Sequence, residues 1–448
     1  MIKKNDDLEV NISDIGYEGE GIAKIDGYTT FVKGGLKGER VKVKMLKVNK
    51  DYGFAKLIEV IEKSEEREEP VCDVFGKCGG CDLQHINYES QLNYKTNTVR
   101  NTLKKALGHD VEVEQTIGMG IPYNYRNKAQ YPVVENKIGF FAGRTHSLIE
   151  NKKCYIQNAI SDKLAKDAFK ILKKYNISSY DEKSGKGCIR HIITRIGVNT
   201  GELMLILVTN GKDIKHKNEI VSELTKEYPT LKSIIQNINS QNTNVILGNE
   251  CITIYGEGYI EDILGEYKFK ISPLSFYQVN PVQTEVLYNI AKEYANLNGT
   301  ETVFDLYSGI GTISIFISDS ARKVYGVEVV GPAVNDAKEN AEINEIRNVE
   351  FIQGEAEVVV PEMYKKGQKA DVVFVDPPRK GCDEKLLETI KEMKAEKVVY
   401  ISCNPATLAR DLRYLTDNGY EIRRIQPVDM FPQTSHVECV ALICRENQ

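Results

Sequence analysis

Thr302-Val303-Phe304-Asp305-Leu306-Tyr307-Ser308-Gly309-Ile310-Gly311-Thr312 is the stretch that decides the fold. A short apolar run rich in β-branched and aromatic residues reads as a buried strand, and it ends in a glycine-containing turn. The pattern returns at Lys323–Glu328, Val349–Ile352, Asp371–Asp376 and Val398–Ile401, with helical segments between. Regular β–α alternation of this kind predicts a doubly wound, mostly parallel α/β sheet, Rossmann-like, over residues 271–448. In such sheets ligands bind beyond the carboxyl ends of the strands, so the residues at those tips matter most.

At the first tip, the glycines let backbone approach a bound nucleoside closely. Ser314 stands where a dinucleotide fingerprint has a third Gly or Ala, which weakens a pyrophosphate reading. The second strand ends in Glu328, placed for bidentate hydrogen bonds to ribose hydroxyls. Acidic tips suit a cationic, phosphate-free cofactor, and S-adenosylmethionine is that cofactor. The fourth strand runs into Asp376-Pro377-Pro378-Arg379-Lys380-Gly381, where two prolines end the strand and stiffen the loop that holds Asp376.

The last parallel strand stops at Cys403, and Asn404-Pro405 reads as an N-cap and first-turn proline opening a helix over Ala406–Leu415. A lone cysteine is usually a small buried hydrophobe. Here the thiol stands at a strand tip, with a helix N-terminus ahead of it that favours the thiolate. Thr434-Ser435-His436-Val437-Glu438-Cys439 leads into an apolar strand over Val440–Ile443. Glu438, if aimed at the same tip as Cys403, would serve as a general base.

Residues 8–62 alternate short apolar strands with glycine turns, which predicts a small β-barrel of OB-like type. Its third and fourth strands carry Lys33, Lys37, Arg40, Lys42, Lys44, Lys47 and Lys50, with Glu39 the main opposing charge. A basic strand face of this kind can hold a nucleic-acid backbone. Glu62–Pro70 reads as a charged linker, and Cys72-Asp73-Val74-Phe75-Gly76-Lys77-Cys78-Gly79-Gly80-Cys81 follows. Three cysteines in ten residues with interleaved glycines are a metal signal, and Cys154, in a loop-like stretch, is a better fourth ligand than Cys188. All-thiolate sites hold Zn²⁺ or an iron–sulfur cluster, and the absence of two paired Cys-x-x-Cys knuckles favours iron–sulfur.

Tyr88–Leu107 has helical apolar spacing, and residues 120–270 read as strand-rich with helices near Asp162–Lys174 and Lys217–Glu227. Tyr123–Tyr131 interleaves aromatic, basic and amide groups as RNA-contacting surfaces do, and Gly139–Arg144 and Gly187–Arg195 add Arg and His on strands. The length of 448 residues requires two or three domains, divided here as 1–62, 63–270 and 271–448. A net charge of −5 excludes a uniformly basic nucleic-acid binder and leaves room for local basic patches. No apolar segment is long enough to span a bilayer, and the start, without an apolar h-region, predicts a cytoplasmic protein that makes no membrane contact. In that compartment ten cysteines are thiols, metal ligands or catalytic groups rather than a disulfide framework.

Gln278 within Phe276-Tyr277-Gln278-Val279-Asn280, Asp305–Thr312, Asp376-Pro377-Pro378-Arg379, Ser402-Cys403-Asn404-Pro405 and His436-Val437-Glu438 together resemble the RNA uracil-5 methyltransferase family. The resemblance covers nearly the whole chain. It implies a class I S-adenosylmethionine-dependent methyltransferase domain, a TRAM domain over residues 1–62, a strand-rich central domain, and a [4Fe–4S] site at Cys72, Cys78, Cys81 and Cys154, with zinc the alternative. It also implies Cys403 as nucleophile, Glu438 as base, and Gln278, Tyr307, Glu328 and Asp376 lining the methyl-donor site. The form implied acts on 23S ribosomal RNA, because tRNA-modifying relatives generally lack both the TRAM domain and the cluster; a monomer is expected. Cys439 departs from the Thr common at that place. Competing readings are a tRNA uracil-5 methyltransferase, a cytosine-5 enzyme (which resembles a Pro-Cys pair at the fourth strand), an amino-methyltransferase that needs no Cys403, and a non-catalytic RNA-binding or ribosome assembly factor.

Overall fold

The computed structural model describes residues 2–446. Strands Asp7–Ile15, Gly21–Ile25, Tyr28–Lys33, Arg40–Val48 and Tyr52–Glu62 close into the expected barrel. Alternation puts Ile12, Val32, Val41, Val43 and Met45 inside and leaves the charged residues outside. Glu39 departs from expectation. It is buried, and its carboxylate accepts from Arg67 Nε at 2.5 Å and from the Leu36 amide at 2.8 Å. Burial alone would raise its pKa, but Arg67 and the Leu36 and Ser64 amides outweigh that and hold it low. Arg67 also donates to the Gly34 carbonyl, so the charged stretch 62–70 is strapped to the barrel and is not a free linker.

The central six-stranded sheet runs Glu250–Gly256, Leu231–Ile238, Leu203–Thr209, Ile189–Ile196, Lys128–Val134, Lys137–Ile138 in space. Leu203–Thr209 is buried at every residue. Leu203, Leu205 and Leu207 face a core that includes residues of helices Ala159–Lys174 and Lys217–Glu227. Met204, Ile206 and Val208 face a core shared with helix Pro281–Ala295 and the C-terminal sheet. Two of the three tyrosines in Tyr123–Tyr131 are turned inward and are not available to RNA. Tyr125 and Tyr131 are buried, the first donating to the Pro432 carbonyl and the second to Asp162. Arg190 and Arg195 are buried too, donating to the carbonyls of Asn239 and Gln241 and of Pro273 and Ser275. These groups tie loops together and face no solvent that RNA could enter.

The C-terminal sheet has seven strands in the order Val349–Gln353, Lys323–Glu328, Thr302–Leu306, Val372–Val375, Lys397–Ser402, Glu438–Arg445, Tyr420–Val428. The first five are parallel; Glu438–Arg445 runs antiparallel to both its neighbours. The order reverses between Thr302–Leu306 and Val372–Val375, and in sheets of this kind the ligand crevice lies at that switch point, on the carboxyl edge. Helix Tyr88–Leu107 packs on helix Pro405–Thr416 beneath the sheet. Its fully buried Lys95 donates to Asp429 Oδ1 at 2.5 Å and to the Phe431 carbonyl at 3.1 Å, fixing the segment that precedes Glu438. Among the described residues no helix is long and apolar enough to cross a membrane.

Candidate active site and thiol cavity

The crevice collects residues from four strand tips. After Leu306 the chain turns sharply, with positive φ at Tyr307 (70°), Gly309 (55°) and Gly311 (82°). The two glycines differ in purpose. A Cβ on Gly309 would meet nothing, so its space is open to a ligand; one on Gly311 would lie 2.6 Å from the Phe351 ring. Glu328 receives the Gly309 amide at 3.0 Å and the Val330 amide at 2.8 Å, which holds its carboxylate at the second tip. Asp305 accepts from Ser314 Oγ at 2.5 Å, while its other oxygen and the Ser308 hydroxyl are buried without a partner. Buried polar atoms normally find partners, so these two are free to meet a water or a ligand.

Asp376 follows its strand directly, its amide 3.3 Å from the Leu306 carbonyl. The loop beyond it is tied to the Cys403 turn: the Arg379 carbonyl accepts from Asn404 Nδ2 at 3.0 Å and Thr407 Oγ1 at 3.3 Å. Buried Asp411 supports that loop from below, accepting from the Cys382 amide at 2.8 Å and the Tyr400 hydroxyl at 2.7 Å. Asn404 caps helix Pro405–Thr416 as read from sequence, accepting from the Ala406 amide at 3.1 Å. Ser402 pairs with Cys439 across the antiparallel ladder, so the next residues outward, Cys403 and Glu438, meet at the tip. Gln278 is buried just before helix Pro281–Ala295, its carbonyl accepting from Asn127 Nδ2 at 2.9 Å.

The electrostatics are set by two buried carboxyls, Asp305 and Glu438, and the half-buried Asp376 between them in the sheet. Burial raises Asp305 to about 6; burial and then Asp305 raise Asp376 to about 7. Burial, then Asp376, pushes Glu438 well above the carboxylate range against the opposing pull of Arg379. Glu438 Oε2 has no hydrogen-bond partner. Cys403, half-buried, is raised to about 11 by burial, Glu438 and Asp376, with Arg379 opposing. The resting group is a thiol: the pull of Arg379 and of the Cys403 amide falls short of burial and the two carboxyls. Arg379, which ends the Asp-Pro-Pro-Arg run, opposes with its charge the upward shifts of both Cys403 and Glu438.

Cys72, Cys78, Cys81 and Cys154 line one cavity of about 390 Å³ with Arg126, Lys128 and His436. The Gly79 amide donates to the Phe141 carbonyl at 3.0 Å, and a Cβ on Gly79 would lie 2.9 Å from Gly143 Cα, so the glycine permits this close crossing. Cys188 lies apart, its Sγ 3.6 Å from the Asp213 carbonyl. Among the described residues no three Cys, His, Asp or Glu side chains converge closely enough to hold a single ion. A tetrahedral zinc would draw its sulfurs to about 2.3 Å from one point, whereas a four-iron cluster holds them farther apart. Cys72, Cys78, Cys81 and Cys154 are the thiols that would hold either group. The cavity also adjoins the site: the amides of Asp82 and Leu83 both donate to the Gln433 carbonyl at 3.0 Å, and His436 lines the cavity two residues before Glu438.

A family described as tRNA (Uracil-5-)-methyltransferase matches residues 225–446, and the TRAM domain matches residues 3–58. The chain belongs to the RNA uracil-5-methyltransferase family. A Clostridium tetani protein described as an uncharacterized RNA methyltransferase is 51% identical over 99% of this chain and 97% of its own. A Halalkalibacterium halodurans protein so described is 50% identical over 100% of this chain and 98% of its own. The crystal structure of Pyrococcus abyssi tRNA (uracil-54, C5)-methyltransferase with S-adenosyl-L-homocysteine aligns over 97% of this chain and 99% of its own, at 28% identity and a TM-score of 0.79. This uracil-5-methyltransferase family member is thus an S-adenosylmethionine-dependent RNA methyltransferase with an N-terminal TRAM barrel.

Proposed function

We propose that the protein methylates C5 of a uridine in RNA through a covalent adduct between Cys403 and uracil C6. The observation that carries this reading is the meeting of Cys403 with Glu438, a buried carboxyl with a free oxygen, at adjoining strand tips. Uracil C5 is too weak a nucleophile to take a methyl group unaided. With the protons of Cys403 and Glu438 lost to solvent, the thiolate attacks C6 and makes C5 enolate-like; C5 would take the methyl group as S-adenosylhomocysteine leaves, after which the Glu438 carboxylate takes the C5 proton and the thiolate leaves, restoring the ring. Arg379 supplies the positive charge that favours the Cys403 thiolate and an ionised Glu438. Gln278, Tyr307, Glu328 and Asp376 form the donor site, where S-adenosylmethionine supplies an electrophilic methyl on a sulfonium. The acidic tips Asp305, Glu328 and Asp376 suit that cation, and the open space at Gly309 admits its nucleoside.

For the RNA, 23S ribosomal RNA is the first reading, drawn from the TRAM barrel together with Cys72, Cys78, Cys81 and Cys154. tRNA is the second, because the Pyrococcus tRNA (uracil-54, C5)-methyltransferase aligns with nearly the whole chain. That alignment spans the barrel and the thiol region too, so both readings go to the same test. The four thiols are assigned to a [4Fe–4S] cluster. Anaerobically purified protein should be brown with about four irons per chain; colourless protein with stoichiometric zinc overturns that assignment. Mapping 5-methyluridine in 23S ribosomal RNA and tRNA from a strain lacking the protein tests the RNA. One ribosomal site should lose its methyl group and regain it with the wild type but not with C403A. Loss confined to tRNA replaces the first reading by the second, and loss nowhere overturns both.

A further inference from the structure

The outer face of the barrel carries an aromatic group that neither the fold nor the chemistry above requires. Parallel strands Tyr28–Lys33 and Tyr52–Glu62 pair Thr29 with Tyr52, Phe31 with Phe54 and Lys33 with Lys56, and the antiparallel neighbour adds Lys44 opposite Lys56. One end of the face is therefore aromatic and the other is a row of three lysines. Phe31 and Phe54 stack with centroids 5.5 Å apart, and Tyr52 stands edge-on to both at 6.0 and 5.7 Å. The barrel interior is filled by other side chains, and Tyr52 is 43% exposed. A scattered exposed aromatic is ordinary; several sharing one hollow mark a binding surface.

Tyr17 joins the group from the turn between the first two strands. It is 56% exposed and shares a hollow of about 640 Å³ with Phe31, Tyr52 and Phe54. The Tyr94 hydroxyl, on helix Tyr88–Leu107, donates to the Gly16 and Tyr17 carbonyls and fixes that turn. The turn lies against the cysteine loop: a Cβ on Gly19 would lie 2.7 Å from the Leu83 side chain, and Asp82 of that loop accepts from the Ser435 hydroxyl at 3.5 Å, three residues before Glu438. A second hollow, lined by Lys33, Leu46, Phe54, Gly79 and Asp82, runs from the barrel face to the cysteine loop. Of the three acidic groups lining the hollow, Glu18 is taken by Arg144, Glu20 accepts from the Glu18 amide at 3.0 Å, and Asp51 is exposed beside Tyr52.

We infer that Tyr17, Phe31, Tyr52 and Phe54 form a stacking surface for unpaired bases next to the target uridine, with the Lys33–Lys56–Lys44 row holding the phosphates. The position of the target rests on the uridine reading of the crevice; the stacking itself does not. Aromatic faces beside a basic row are how sequence-tolerant proteins hold single strands, because every base has a π-face to offer. A duplex keeps its bases stacked on one another and offers none. The surface therefore selects RNA that is single-stranded beside the target uridine, and Tyr17 is the step between barrel and crevice.

Fluorescence anisotropy with a labelled oligouridine, and with a hairpin duplex as control, tests this in the full-length protein. Y17A and Y52A should each weaken oligouridine binding about fivefold or more with the salt slope unchanged, and leave duplex binding alone. Y17F and Y52F, which keep the ring, should restore affinity and show that the fold is intact. K33A and K56A should each lower the salt slope by about one. Oligouridine binding as tight in Y52A as in the wild type, or an equal loss for the duplex, overturns the inference; a protein docking face would give the first result. C403A assayed alongside separates the two readings, since methylation surviving in C403A strikes at the crevice chemistry and leaves the binding result standing.

Discussion

Replacing Glu438 by glutamine should make the protein more stable and nearly inactive at once. The carboxyl is buried with one oxygen unpartnered, and burial with Asp376 nearby holds its pKa well above 4.5. Below pH 4.5 the group is protonated in folded and unfolded chains alike and contributes nothing to the pH dependence. Above it, the unfolded chain releases the proton while the folded chain keeps it, so stability falls as pH rises towards the folded pKa. The slope for one such proton is about 1.4 kcal/mol per pH unit. Glutamine fills the same space and does not titrate. In urea melts at pH 5, 6, 7 and 8, E438Q should gain on the wild type at about that slope until the folded pKa is passed. Turnover should fall about 10²–10⁴-fold through loss of the base, about 3–5 kcal/mol of barrier. The Cys403 adduct with RNA, methylated but unable to lose its C5 proton, should then accumulate on denaturing gels. Parallel stability curves for the two proteins, or an E438Q that turns over normally without trapped adduct, would refute the reasoning.

Three further outcomes follow from the same geometry. Alkylation of Cys403 by iodoacetamide, followed by peptide mass spectrometry, should titrate with a midpoint near 11 in the free protein; D376N removes a neighbouring negative charge and should move that midpoint down. K95M leaves Asp429 buried without its cation and should cost about 3–5 kcal/mol in urea melts, with K95M/D429L recovering much of the loss. G311A must hold an alanine at φ 82° with its Cβ against Phe351, which should cost about 2 kcal/mol or more and weaken S-adenosylhomocysteine binding by calorimetry.

The strands of the C-terminal sheet were legible because burial on both faces leaves unbroken apolar runs, as in Val372–Val375, where every residue is buried. Tyr420–Val428 was missed for the converse reason. It is an edge strand with Arg423, Arg424 and Pro427, and its ladder slips between Ile422 and Arg424. Local chemistry was equally readable: the Asn404 cap, the turn at Gly309 and the glycine-spaced thiols all depend on neighbours in the chain. What could not be read was the fate of charges whose partners are distant. Glu39 and Arg190 look like surface groups in sequence, and only the folded chain brings Arg67 to the first and the Asn239 carbonyl to the second. Cys403 followed the same rule. Its helix start is local, but the carboxylates that push its thiol up arrive from two other strands.

Tritium release from RNA carrying 5-tritiated uridine, measured beside methyl incorporation, bears most directly on the crevice chemistry. Attack by Cys403 at C6 with removal of the C5 proton requires one tritium released for each methyl group transferred, and C403A should give neither. Methyl incorporation without tritium release would contradict uracil C5 as the acceptor, and release with full methylation in C403A would contradict Cys403 as the nucleophile.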